Sequence, residues 1–240
     1  AAAWNGNNTT ISNNIITNQT TQGSITCIIM GGSGTSTLNT VRKNTITGIS
    51  STGTGGAVTA ISSASAATTT NIDSNVINTL SSTSSTATVA GISTSTSANI
   101  YQNTINTLSC TGTTSGVTNG IMVTGGTAVN VYRNKIYDLS TIGAFTTMPG
   151  VNGIVLSGST ASTSANVYNN LIGDLRAAAA NSADAIRGLS VTATGTTSNY
   201  RLYNNTVYLN ASSSGSAFGT TGIFHATSGT ATTAALDLRN

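Results

Sequence analysis

Seven asparagines, Asn14, Asn44, Asn75, Asn103, Asn134, Asn170 and Asn205, recur at steps of 30, 31, 28, 31, 36 and 35 residues. Each stands in one local pattern. Val131-x-x-Asn134-x-Ile136-x-x-Leu139 is matched by Val41-x-x-Asn44-x-Ile46-x-x-Ile49 and Ile72-x-x-Asn75-x-Ile77-x-x-Leu80. Ile100-x-x-Asn103-x-Ile105-x-x-Leu108 and Val167-x-x-Asn170-x-Ile172-x-x-Leu175 follow it too, and Ile11-x-x-Asn14-x-Ile16 and Leu202-x-x-Asn205-x-Val207 are shorter copies. A near-constant period of this size defines a repeat architecture, in which a unit buries its apolar face only against its neighbours.

A second motif lies between the asparagines. It reads Gly91-Ile92, Gly120-Ile121-Met122-Val123, Gly153-Ile154-Val155-Leu156, Gly188-Leu189-Ser190-Val191 and Gly222-Ile223-Phe224, with Ala60-Ile61 and Cys27-Ile28 as weaker copies. One repeat therefore holds three short apolar-alternating pieces, each too short for a helix and each with the period of a strand. Three strands per repeat predict an all-β chain, a right-handed parallel β-helix of about 30–36 residues per coil, with 1–240 as one solenoid segment. Coils stacked at about 4.8 Å make seven of them a rod of about 34 Å. A leucine-rich repeat has a similar period, but its Leu-rich signature is missing. Only Arg176-Ala177-Ala178-Ala179-Ala180 suits a helical turn.

At each ladder asparagine the inward spacing changes from two residues to three, as in Val131, Asn134, Ile136. That break demands a bend, and Asn is expected to adopt the left-handed conformation there. Its amide is placed to bond the equivalent amides above and below, an internal Asn ladder. The Gly before each Ile is expected to mark the second bend.

Charged residues are 5% of the chain, Glu is absent and the formal net charge is +3. Only Arg42-Lys43 and Arg133 with Lys135 group basic side chains, so the sequence carries no nucleic-acid patch. No apolar run reaches the length of a membrane span. No phosphate loop or other cofactor motif occurs. Cys27 and Cys110 are too few for a disulfide framework and are read as free thiols. Ala1-Ala2-Ala3-Trp4 lacks the basic start and apolar core of a signal peptide. Thr10-Ile11-Ser12-Asn13-Asn14 is already in register and Leu238-Arg239-Asn240 enters a further repeat, so the reading is a segment of a longer, processed protein without visible caps.

The acids are Asp73, Asp138, Asp174, Asp184 and Asp237. Only Asp138 and Asp174 occupy equivalent places in adjacent coils, about 5 Å apart, near the separation of a retaining glycosidase pair. No third acid joins them. They are read as surface carboxylates softened by Lys135 and Arg176, with no catalytic residue, no metal site and no cofactor assigned. His225 falls in the inward column of Met30, Ser63, Thr94, Val123, Leu156 and Val191, which predicts a partly buried side chain. Two outward columns are candidate ligand or partner surfaces. Tyr101, Tyr132, Tyr168 and Tyr203 form one, suited to sugar rings or a partner, or to supporting the sheet edge as an aromatic ladder. Ile29, Met122, Val155 and Phe224 form the other, either covered by a loop or an exposed binding patch.

The repeats Asn-Val-Tyr-x-Asn-x-Ile-x-Asp-Leu and Gly-Ile-x-Val-x-Gly, with Leu202–Ser212 and Leu236–Asn240, resemble large secreted β-helix proteins of Bacteroidota-type bacteria that carry a type IX secretion sorting domain. The resemblance implies an exported, extracellular or cell-surface protein. The first functional expectation is a structural or adhesive module: a rod, fibre or filament component, partnered by itself or by further coils of its own chain. A carbohydrate-binding or polysaccharide-cleaving β-helix, with surface polysaccharide as partner, is the alternative. An ice-binding solenoid is a third, weakened because Thr-x-Thr pairs such as Thr94-Ser95-Thr96 do not recur in one column.

Overall fold

The computed structural model describes residues 8–32, 36–65, 67–146 and 149–239. The readings made on Ala1–Trp4 and on Asn240 lie outside the described residues. Among the described residues three parallel sheets run side by side along the stack. Sheet A has eight strands, from Thr10–Ser12 to Ala235–Arg239; sheet B has seven, from Ile15–Thr21 to Thr206–Tyr208; sheet C has seven, from Ile25–Gly32 to Thr220–His225. The chain visits A, B and C in turn, and each strand pairs with its equivalent one coil on. Thus Ile100 faces Val131, Ile105 faces Ile136, and Ile121 faces Ile154. This is the β-solenoid the repeat predicts, with about seven turns.

The core is made of apolar columns along the axis. Val41, Ile72, Ile100, Val131 and Val167 come from sheet A; Ile46, Ile77, Ile105, Ile136 and Ile172 from sheet B; Ile61, Ile92, Ile121 and Ile154 from sheet C, all buried. β-Branched side chains suit such columns because their stiff rotamers pack well on a pleated surface. No helix occurs among the described residues. Arg176 and Ala177 instead end a sheet B strand, where Ala177 lies buried beside Thr141 of the previous coil. Register in the stack overrides the helix propensity of the alanine run.

Two bends differ from expectation in their details. At the A–B bend the left-handed residue is the one before each ladder Asn. Asn13, Lys43, Ser74, Gln102, Arg133, Asn169 and Asn204 have φ between 53° and 58°, while the ladder Asn does not have a positive φ. The buried position needs the amide side chain, so the strained conformation is displaced onto an exposed neighbour of varied type. A second left-handed column lies inside sheet B: Asn18, Gly48, Thr79, Thr107, Asp138 and Asp174. Each is skipped by the pairing in every coil at once, an in-register kink that explains the Ile-x-x-Leu spacing.

The glycines of sheet C are not bends. Gly91, Gly120, Gly153 and Gly188 lie within strands and none has a positive φ. They are close-approach points instead. A Cβ on Gly120 would fall 2.5 Å from the Gly153 carbonyl oxygen and 2.6 Å from Ile136 Cγ2; on Gly153 it would fall 2.6 Å from Gly188 O and from Ile172 Cγ2. The inward isoleucines of sheet B occupy the space.

His225 does align with Val191 on sheet C, but its side chain is exposed, not buried. Its strand is an edge strand, and no described coil covers its inner side.

Gly120→Ala is expected to destabilise by about 1–3 kcal/mol through overpacking. Gly173→Ala has no contact closer than 3.5 Å and should be neutral or stabilising by up to about 1 kcal/mol. Denaturant midpoints of the two variants check the contrast.

Candidate functional site

The A–B bend would strand backbone groups in the core, because the ladder cannot continue through it. The asparagine side chains close that gap. Asn14 Nδ2 donates to Asn44 Oδ1 at 2.9 Å, Asn44 to Asn75 at 3.0 Å, Asn75 to Asn103 at 2.9 Å, Asn103 to Asn134 at 2.9 Å, Asn134 to Asn170 at 3.0 Å and Asn170 to Asn205 at 2.9 Å. Each Oδ1 also accepts the backbone N–H of the preceding ladder Asn, as Asn134 Oδ1 does from Asn103 N at 3.0 Å. The second amide hydrogen goes backward: Asn134 Nδ2 donates to Ile100 O at 2.9 Å. One side chain therefore joins three coils. Asn44, Asn75, Asn103, Asn134 and Asn170 are all buried.

The outer face of sheet A carries a second ladder that the sequence analysis did not single out. Asn99 Nδ2 donates to Asn71 Oδ1 at 2.9 Å, Asn130 to Asn99 at 2.8 Å, and Asn166 to Asn130 at 2.8 Å. Its donors point from later coils to earlier ones, opposite to the buried ladder. The signal was present as the Asn two residues before each Tyr or Asp, in Asn71-Ile-Asp73, Asn99-Ile-Tyr101, Asn130-Val-Tyr132 and Asn166-Val-Tyr168.

Beside it, Tyr101, Tyr132, Tyr168 and Tyr203 form one stack. Successive ring centroids are 4.9 Å apart and the planes are within 5° of parallel. The faces of Tyr132 and Tyr168 are thus occupied on both sides by neighbouring rings. Only edges and hydroxyls face outward, which leaves no free ring face in mid-stack for a sugar. Asp73 and Arg42 continue the column below Tyr101. Asp73 is buried, accepts the Ser74 hydroxyl at 3.1 Å and lies 3.7 Å from Arg42 Nε. Burial, and then the negative charge of Asp73, push the Tyr101 phenol above its ordinary value; burial does the same for Tyr168.

The column of Ile29, Met122, Val155 and Phe224 is less continuous. Ser62, Ser93 and Ser190 occupy its other coils, so only Met122 and Val155 adjoin. Ile29 is largely exposed, whereas Phe224 lies under the guanidinium of Arg187, whose Cζ is 3.3 Å from the ring centroid.

Asp138 and Asp174 sit on the left-handed kinks of sheet B, and the Arg176 guanidinium binds both. Thr107 donates to Asp138 at 2.8 Å. Lys135 turns away to lie 4.7 Å from the Tyr137 ring centroid. Burial raises the Cys27 thiol to about 11 and raises Cys110 as well, so both are protonated thiols at neutral pH. Among the described residues no three His, Cys, Asp or Glu side chains group as metal ligands.

Compared with known proteins, the chain matches no family model, no curated protein and no solved structure.

Asn134→Leu should cost about 2–4 kcal/mol, since it strands the Asn103 amide and the Ile100 carbonyl in the core. Chemical denaturation measures it. The raised phenols carry a pH dependence of definite sign. Folded Tyr101 and Tyr168 hold their protons where the unfolded chain releases them, so stability is whole below pH about 10 and falls as pH rises beyond it. Melting followed from pH 8 upward, beside a Tyr101→Phe, Tyr168→Phe variant with a weaker alkaline loss, checks this.

Proposed function

We propose that the chain is a structural module, a stretch of extracellular or cell-surface β-solenoid that serves as a rod, fibre or filament component. The observation that carries this reading is the axial direction of its polar chemistry. Both Asn ladders and the Tyr stack bind coil to coil along the rod. The likeness of its repeats to secreted β-helix proteins supports the location. Ser, Thr and Asn dominate the exposed positions, and the one paired-acid arrangement is bridged by Arg176. The terminal strands present unpaired backbone edges among the described residues, a fit for a further coil or for a second copy docking coil on coil.

A rod of this kind should resist pulling and yield coil by coil. Single-molecule stretching is expected to show repeated steps of about 100 Å, the extended length of roughly 31 residues. One abrupt release of the whole chain at low force would count against a rod. Turnover of a polysaccharide, abolished by Asp138→Asn, would replace the reading with the enzymatic alternative.

A further inference from the structure

Sheet C carries a cleft that the axial ladders do not explain. Asn119 and Asn152 belong to an outward column of this sheet, which Thr26, Thr59 and Ala90 begin and Arg187 and Thr221 continue. Yet each is only 4% exposed. They line a cleft of about 220 Å³ with Met122, Val155, Pro149 and Arg187. Pro149 comes from the lengthened connection between the strands Lys135–Thr141 and Val151–Leu156.

The polar groups in the cleft are unevenly matched. Asn152 Nδ2 donates to Asn119 Oδ1 at 2.9 Å, and Asn119 Nδ2 points at Met122 Sδ, 3.3 Å away. In this arrangement each amide N–H of the pair has an acceptor, the Asn119 oxygen for one and the Met122 thioether, a weak acceptor, for the other. Asn152 Oδ1 then has no partner among the described residues, although it is buried. The next side chain along the column does not reach it. Arg187 is spent on Asp184, with Nε to Oδ2 at 2.8 Å, on the Ser190 hydroxyl at 3.2 Å and on the Phe224 ring. A buried acceptor without a donor is rare in folded proteins and marks a place for a ligand or an ordered water.

We propose that this cleft binds the acetamido group of an N-acetylated amino sugar. The N–H of that group donates to Asn152 Oδ1, and its methyl packs on Met122, Val155 and Pro149. The Arg187 charge is balanced by Asp184, so the site suits a neutral ligand and not an anion. The volume is below that of a drug-sized site and accommodates one such group with part of its ring. A peptide amide also offers an N–H, but it continues on both sides. The apolar lining of Met122, Val155 and Pro149 beside the unpartnered acceptor favours a group that ends in a methyl. The cleft lies on sheet C, apart from the ladders at the A–B bend and on the outer face of sheet A.

Saturation-transfer NMR on the intact chain tests it with three probes: a trimer of N-acetylglucosamine, the glucose trimer with hydroxyls in place of acetamido groups, and an acetylated dipeptide amide. The expected result is saturation strongest on the acetamido methyl of the first, with the glucose trimer at least about tenfold weaker, the loss of one buried hydrogen bond and its methyl contacts. Val155→Arg, at a half-exposed position, should abolish the signal while the melting midpoint holds; Asn152→Leu should weaken it about tenfold in a chain shown folded by circular dichroism. Equal binding of the two trimers, absence of saturation on the methyl, tighter binding of the peptide, or an unchanged signal in Val155→Arg would each overturn it.

Discussion

The buried amide ladder at the A–B bend is the interaction on which the rest depends. A solenoid must turn a corner every coil, and a corner removes backbone partners from groups that water cannot reach. Here the Oδ1 of each asparagine stands in for a missing carbonyl one coil away, while its Nδ2 serves the next asparagine and the preceding coil. Nothing shorter or longer than Asn keeps that reach, and a carboxylate there would stack charge upon charge in the core. Because one side chain spans three coils, stability belongs to the stack and not to a coil.

The same in-register stacking accounts for the composition. A residue type repeated in one column recurs at the strand spacing, where two like charges about 4.8 Å apart repel by about 1 kcal/mol in water and by several times more in a partly buried setting. Neutral groups that attract their own kind escape this cost: amides by hydrogen bonds, phenols by ring stacking. Negative charges enter only beside an arginine. All five aspartates are ion-paired, Asp73 with Arg42, Asp138 and Asp174 with Arg176, Asp184 with Arg187, and Asp237 with Arg239. The low charge of the chain is thus a consequence of its geometry and not a sign of disorder.

Periodicity made the solenoid legible before any coordinates, because the inward columns, the ladder asparagines and the tyrosine column all repeat with the coil. What escaped were features set by three-dimensional neighbours. The left-handed strain falls on Lys43 or Arg133, residues no turn rule favours, since it is the next residue that the core requires. The sheet C glycines look like turn residues in the sequence, and only the position of Ile136 or Ile172 against them shows that space is the reason. The column of Ile29, Met122, Val155 and Phe224 reads as apolar when its serines are passed over. His225 reads as buried until the edge position of its strand is known.

A regular solenoid builds columns, and columns are poor at convergent chemistry, because equivalent side chains point the same way at each step. Sites in such a fold arise where the repeat is broken. The spacing of the ladder asparagines rises from 31 to 36 residues between Asn134 and Asn170, and the extra chain enters the connections on either side of the strand Val151–Leu156. That is where Pro149 joins Asn119 and Asn152 in lining one cleft, where an amide pair replaces a full ladder, and where Arg187 turns aside to Asp184. The departures from the period, and not the period itself, therefore locate the place on this rod most able to recognise a ligand.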